Sequence, residues 1–204
     1  MAVIWGVNFS VVKFATTVMS PLAFNSMRVA IAAVVLLALG ASIRRAWPSR
    51  RDTLILLALG VLGNGLYQLF FIEGMDRTRA GTAALLLAAS PAFIAIAGRI
   101  RGVERITRRG WGGIALQIVG MACVVIGGAA APVGGGSLAG NLLILGGALS
   151  WAAFTVLLKP YTHRVHGIQL SAITMVGGAI PLILWSAPEI MGTGWMELPG
   201  SAWG

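Results

Sequence analysis

Charge is scarce in this sequence. Only 10% of the 204 residues are charged and only six are acidic, while 57% are hydrophobic. A soluble domain carries about 25% charged residues. No water-soluble interior could hide this much apolar surface, so lipid is the solvent for most of the chain. Six carboxylates, mostly beside the apolar runs, also argue against a carboxylate-lined cation channel. Cysteine is nearly absent. Cys123 is alone and lies inside an apolar run, so no internal disulfide can form, and it reads as a buried structural thiol. Histidine is limited to His163 and His166, with no carboxylate or cysteine nearby to complete a metal site. No nucleophile–base pair, phosphate-cradling loop or nucleotide motif can be found. Neither an enzyme nor an ATP-driven pump is expected, and no cofactor. The N-terminus has no basic segment or clear cleavage site of the kind that marks a signal peptide.

What is present is apolar length. A helix needs ~20 apolar residues to cross ~30 Å of hydrocarbon. Seven runs meet that need, at 2–19, 22–43, 53–74, 80–98, 111–131, 139–158 and 168–188. None alternates in polarity as barrel strands do. The fold expected is an all-α polytopic membrane protein with seven transmembrane helices, consecutive ones antiparallel.

The net charge of +9 comes from 15 basic residues. They sit in short gaps between apolar runs rather than on one continuous face, which excludes a nucleic-acid partner. The gaps at 44–52, 99–110 and 159–167 hold four, five and two of them, 11 in all, and the opposite gaps hold only Arg77 and Arg79. That bias places the first group, and the N-terminus, in the cytoplasm. Seven spans then leave Gly204 and the loop at 132–138 outside.

The first and sixth runs share a pattern. Trp5-Gly-Val-Asn-Phe-Ser-Val-Val-Lys13 and Trp151-Ala-Ala-Phe-Thr-Val-Leu-Leu-Lys159 both read Trp, seven residues, Lys, displaced by 146 positions. Five spans separate the copies, so the two units enter the membrane from opposite sides. Such inverted repeats are the usual scaffold of alternating access. A five-helix first unit at 1–131 leaves two helices of a second at 139–204, so the sequence reads as part of a ten-helix protein.

At these residues the chain resembles a family. Trp5-Gly-Val-Asn-Phe with Lys13, then Ser20-Pro21-Leu-Ala-Phe and Arg28, is similar to the first two helices of the EamA domain of the drug/metabolite transporter superfamily. Ser90-Pro91 and the turn Gly102-Val-Glu104 before Gly110-Trp-Gly-Gly resemble the fourth and fifth helices. Gly140-Asn-Leu-Leu through Trp151 resembles the opening of the second copy. The resemblance implies a permease of the cytoplasmic (inner) membrane that moves a small organic metabolite, such as an amino acid or related compound, and exports it. The family has ten helices where this chain supplies seven.

Polar groups inside the bilayer are functional candidates by default. Arg28 and Lys13 each lie about 10 Å below the outer turn at 1.5 Å per residue. Two cations at that depth point to a watered vestibule for a carboxylate or phosphate, unless both snorkel to the headgroups. Asn64, Tyr67 and Gln68 have spacings of three and four, which puts them on one helix face near mid-membrane. They would bind a polar substrate or bond neighbouring helices. Asn8, Trp5 and Trp151 are candidates for lining the same pathway. Glu73, near the outer end of its run, is a candidate for a coupling proton or an interfacial anchor. Gly113, Gly120 and Gly127 make a small-residue stripe for close helix packing, which also allows a homo-oligomer or a purely structural membrane scaffold.

Overall fold

A computed structural model describes residues 20–78, 80–130 and 137–192. All regular structure among them is helical. Helix α1 spans Pro21–Ser42. Helix α2, Arg50–Gly60, runs through a π-helix at Val61–Leu66 directly into α3, Tyr67–Arg77. Helices α4, Ala80–Leu87, and α5, Ser90–Ile100, come next, then α6, Arg108–Ala130, α7, Leu138–Leu158, and α8, Gly167–Gly192. Among the described residues, five runs are long and apolar enough to cross a membrane: Pro21–Ser42, Arg50–Arg77, Gly81–Ile100, Leu138–Tyr161 and Gly167–Gly192. Helix α6 occupies the place of the expected fifth span. The expected first span, 2–19, lies outside the described residues, and with it Trp5, Asn8 and Lys13. Six of the seven expected spans therefore have a helical counterpart.

The ends of these helices are written in the sequence. Ser20 Oγ accepts the Ala23 N–H at 3.1 Å, ahead of a proline whose missing N–H costs nothing in a first turn. Ser49 and Ser137 cap α2 and α7 in the same way, accepting from the N–H groups of Asp52 and Gly140. Helix α5 stops at Gly102, whose φ of 70° is a left-handed value that glycine adopts without strain. The N–H groups of Val103 and Glu104 then return to the Gly98 carbonyl. That turn folds Glu104 over Gly98 and sets its carboxylate 3.2 Å from Lys159 at the end of α7.

The expected span at 80–98 is interrupted at Ala88–Ala89. Pro91 has no N–H to offer the Leu87 carbonyl, so the Ser90 hydroxyl donates to it at 2.6 Å. The Ala88 carbonyl is taken by the Gln117 amide of α6. Freed carbonyls at membrane depth are thus satisfied by side chains rather than by water.

The interior is built around the third span. Leu56 and Leu59 pack with Phe154, Val165, Leu170 and Ile173 in one half of the bundle. Leu22, Val29, Ala33, Ala179 and Leu182 join α1 to α8 in the other. Ala83, Leu86 and Ile144 form a smaller cluster between α4 and α7. Large apolar side chains on the outer faces are left uncovered, Leu116 to 75% and Leu184 to 71%, as a lipid-facing surface requires.

One expectation fails on α6. Cys123 is exposed, not buried. Among the described residues, no atom lies within 4 Å of where a Cβ on Gly113, Gly120 or Gly127 would stand, so these residues leave the stripe uncovered. Helix α6 touches chiefly α4 and α7 with its other side, and periodicity alone does not say which side a partner takes.

Candidate functional site

The polar centre of the molecule is the π-helix Val61–Leu66, at the middle of the run Arg50–Arg77. Gly63 and Gly65 flank Asn64 there, and both are buried. The wider turn passes the Tyr67 N–H to the Leu62 carbonyl, five residues back. The neighbours bind this irregular stretch directly. Ser150 Oγ of α7 donates to the same Leu62 carbonyl at 2.6 Å. Asn64 Nδ2 donates to the Thr174 carbonyl of α8 at 3.2 Å. One turn of the third span is therefore tied to two helices at mid-membrane.

The π-helix also changes which side chains share a face. Spacing on a regular helix puts Asn64, Tyr67 and Gln68 together. Asn64 instead turns to α8, while the Tyr67 ring meets Trp151 of α7 with centroids 5.3 Å apart. The extra residue per turn rotates the side chains after the π-helix away from those before it. Phe71 stacks on Tyr67 at 6.1 Å and Phe154 tilts against Trp151 at 5.3 Å, giving a continuous aromatic wall on α3 and α7. Such pairs contribute about 0.5–1.5 kcal/mol each beyond the area they bury.

Gln68 lies about 6 Å from Asn64 along the axis. It is half-buried and makes no side-chain hydrogen bond among the described residues. Of the two amides singled out on this span, the described residues engage Asn64 and leave Gln68 open. Arg28 is half-buried on α1, and its Nη2 donates to Asn25 Oδ1 at 2.8 Å. The Asn25 Nδ2 is buried without a partner among the described residues. Glu73 turns to Arg77 one turn on, at 2.5 Å, with its side chain 43% exposed. Two residues here escape the sequence reading: Ser150, beside Trp151, and Asn25, three before Arg28. The helical spacing of Asn25 and Arg28 is a usable signal for the second. The carbonyl that Ser150 serves exists only because of the π-helix, which no pattern announces. No group of three or more His, Cys, Asp or Glu is placed to hold a metal ion among the described residues.

Comparison with known proteins gives the family. Residues 1–126 match the EamA-like transporter family. The chain is 30% identical over 181 residues to an uncharacterized transporter of Archaeoglobus fulgidus, covering 87% of this chain and 62% of that one. It is 28% identical to a probable terminal-alkyne amino-acid exporter of Streptantibioticus cattleyicolor, covering 79% and 52%. It is also 28% identical to a probable amino-acid metabolite efflux pump of Salmonella typhimurium, covering 90% and 59%. The chain thus spans less than two thirds of the length of these relatives. No solved structure matches it significantly.

Proposed function

The chain belongs to the EamA-like transporter family, and on that footing we propose that it forms the substrate pathway of a secondary transporter. The cargo is a small organic metabolite of the amino-acid type, moved outward across the cytoplasmic membrane. Two relatives are named for amino-acid or amino-acid-metabolite export, which supports this class at low identity. The observation that carries the reading is Gln68, an amide at membrane depth next to the Tyr67–Trp151 pair, with no bond among the described residues. A half-buried amide that the protein leaves unbonded is available to hydrogen-bond a polar substrate. Arg28 supplies the positive charge for a carboxylate, and Trp5, Asn8 and Lys13 complete the path from the first span. Glu73 is the nearest carboxylate for a coupling proton.

The architecture in this proposal is seven spans with a cytoplasmic N-terminus. Residues 1–131 form one five-helix unit, 132–138 an outer loop and 139–204 the opening of an inverted second unit. Helix α8 begins at Gly167, 146 positions after α1 begins at Pro21, which is the displacement between the two Trp–Lys patterns. The two helices run antiparallel, Ser20 beside Glu189 at one end and Gly40 beside Gln169 at the other. Rocking of one unit against the other would expose the site to each side in turn.

The glycine stripe of α6, which the described residues leave uncovered, favours a second reading, a membrane scaffold that associates through Gly113, Gly120 and Gly127. Efflux of a panel of amino acids and related metabolites from cells expressing the full-length protein separates the two. Gln68→Ala and Arg28→Ala should remove flux while membrane yield and melting temperature stay unchanged. Unchanged flux in both variants, or loss of assembly alone, would favour the scaffold.

A further inference from the structure

An apolar groove opens between the end of α5 and α7, lined by Ala97, Ile100, Arg101, Ala153, Val156 and Leu157, with a volume of about 210 Å³. It is not part of the polar centre. Every wall residue but one is aliphatic, and Ile100 is 80% exposed at its edge. The exception, Arg101, is itself exposed and stands at the helix terminus, where the chain turns at Gly102. Beyond it the chain carries Arg105, Arg108 and Arg109, and Arg99 precedes it. The one carboxylate in this stretch, Glu104, is paired with Lys159. The groove therefore begins among methyl groups at membrane depth and ends in excess positive charge at the membrane surface.

That pairing of surfaces matches one chemistry: a hydrocarbon chain joined to a phosphate. We propose that the groove seats an acyl chain of an anionic phospholipid whose phosphate is held by Arg101. Basic pockets between transmembrane helices at a charged interface are the places where anionic headgroups dwell, and a guanidinium offers a phosphate two parallel hydrogen bonds. Small side chains at Ala97 and Ala153 leave the depth the chain needs, and Val156, 3% exposed, is its floor. The Glu104–Lys159 pair keeps the only nearby carboxylate of this stretch away from the phosphate.

The test is native mass spectrometry of the purified protein. It is offered equal amounts of phosphatidylglycerol and phosphatidylcholine with the same acyl chains. Phosphatidylglycerol should remain bound in preference. Arg101→Gln should weaken that retention about fivefold, the weight of one basic side chain at an anionic surface. Ala153→Phe, which fills the groove, should remove it while the Arg101 side chain remains. If Ala153→Phe does not fold, the exposed Arg101→Gln variant decides alone. Equal retention of the two lipids overturns the proposal, as does retention indifferent to Arg101→Gln. Displacement of the lipid by glycerol 1-phosphate would show an anion site that does not use the groove, and would overturn it too. A photo-crosslinker at Leu157 should capture lipid. Capture of another segment of protein would assign the groove to a helix and contradict the proposal.

Discussion

Gly60 of the third span lies against Thr174 of α8 at a close crossing of the two helices. A Cβ on Gly60 would fall inside contact distance of the Thr174 carbonyl oxygen, which also accepts the Asn64 amide one turn further on. Reciprocally, a Cβ on Gly177 would strike the Leu57 carbonyl. Small residues let two backbones meet here, as is usual where lipid supplies no hydrophobic drive between helices.

Gly60→Ala should therefore destabilise the bundle by about 1–3 kcal/mol, the usual cost of overpacking. Gly112→Ala on α6, which no described residue approaches within 4 Å, should be neutral or slightly stabilising through helix propensity. Thermal melting of the two variants in one detergent measures the difference. Equal melting temperatures would contradict the close crossing.

Tyr67 and Trp151 should be energetically coupled. A double-mutant cycle with Tyr67→Leu and Trp151→Leu should return a coupling of about 0.5–1.5 kcal/mol.

Much of this was legible in the sequence. Apolar run length gave the helices to within a few residues, because a bilayer leaves the backbone no alternative to hydrogen-bonding itself. Ser20-Pro21 and Gly102 gave their ends. The interruption at Ala88–Ala89 was half legible, since Pro91 announced a missing donor but not that Gln117 would answer it. The π-helix was not legible at all. Its six residues look like any apolar stretch with two glycines, and the side-chain bonds that tie it, Ser150 to Leu62 and Asn64 to Thr174, span 88 and 110 positions of sequence. For that reason the face shared by Asn64 and Tyr67 on a regular helix does not exist. Asn64 bonds the Thr174 carbonyl of α8, while Gln68 keeps an amide that the described residues leave open.

Ser150→Ala removes the second donor to the Leu62 carbonyl and leaves the Tyr67 N–H in place. Interhelical hydrogen bonds in membranes average about 0.6 kcal/mol and reach about 1.7, so the loss should lie in that range. Chemical denaturation in mixed micelles measures it. A neutral effect would mean that the π-helix holds without α7.

The Glu104–Lys159 pair is exposed on both sides, 48% for the lysine and 38% for the glutamate. Its removal by Glu104→Gln should cost at most about 1 kcal/mol and less at high salt. The double swap Glu104→Lys with Lys159→Glu should restore what the single change loses. Melting curves at low and high ionic strength decide it.

The central claim is that Gln68 lines a pathway open to water from both sides of the membrane. A single cysteine tests it, once Cys123, the one thiol of this sequence, and any further cysteine of the full-length protein are replaced by Ser. In the full-length protein with those changes, Gln68→Cys should react with a membrane-impermeant thiol reagent applied to intact cells. It should also react when the reagent is applied to inside-out vesicles. Reaction from both faces is the result expected of alternating access. Protection from both faces would place Gln68 in lipid or in sealed protein, and would contradict the transport pathway.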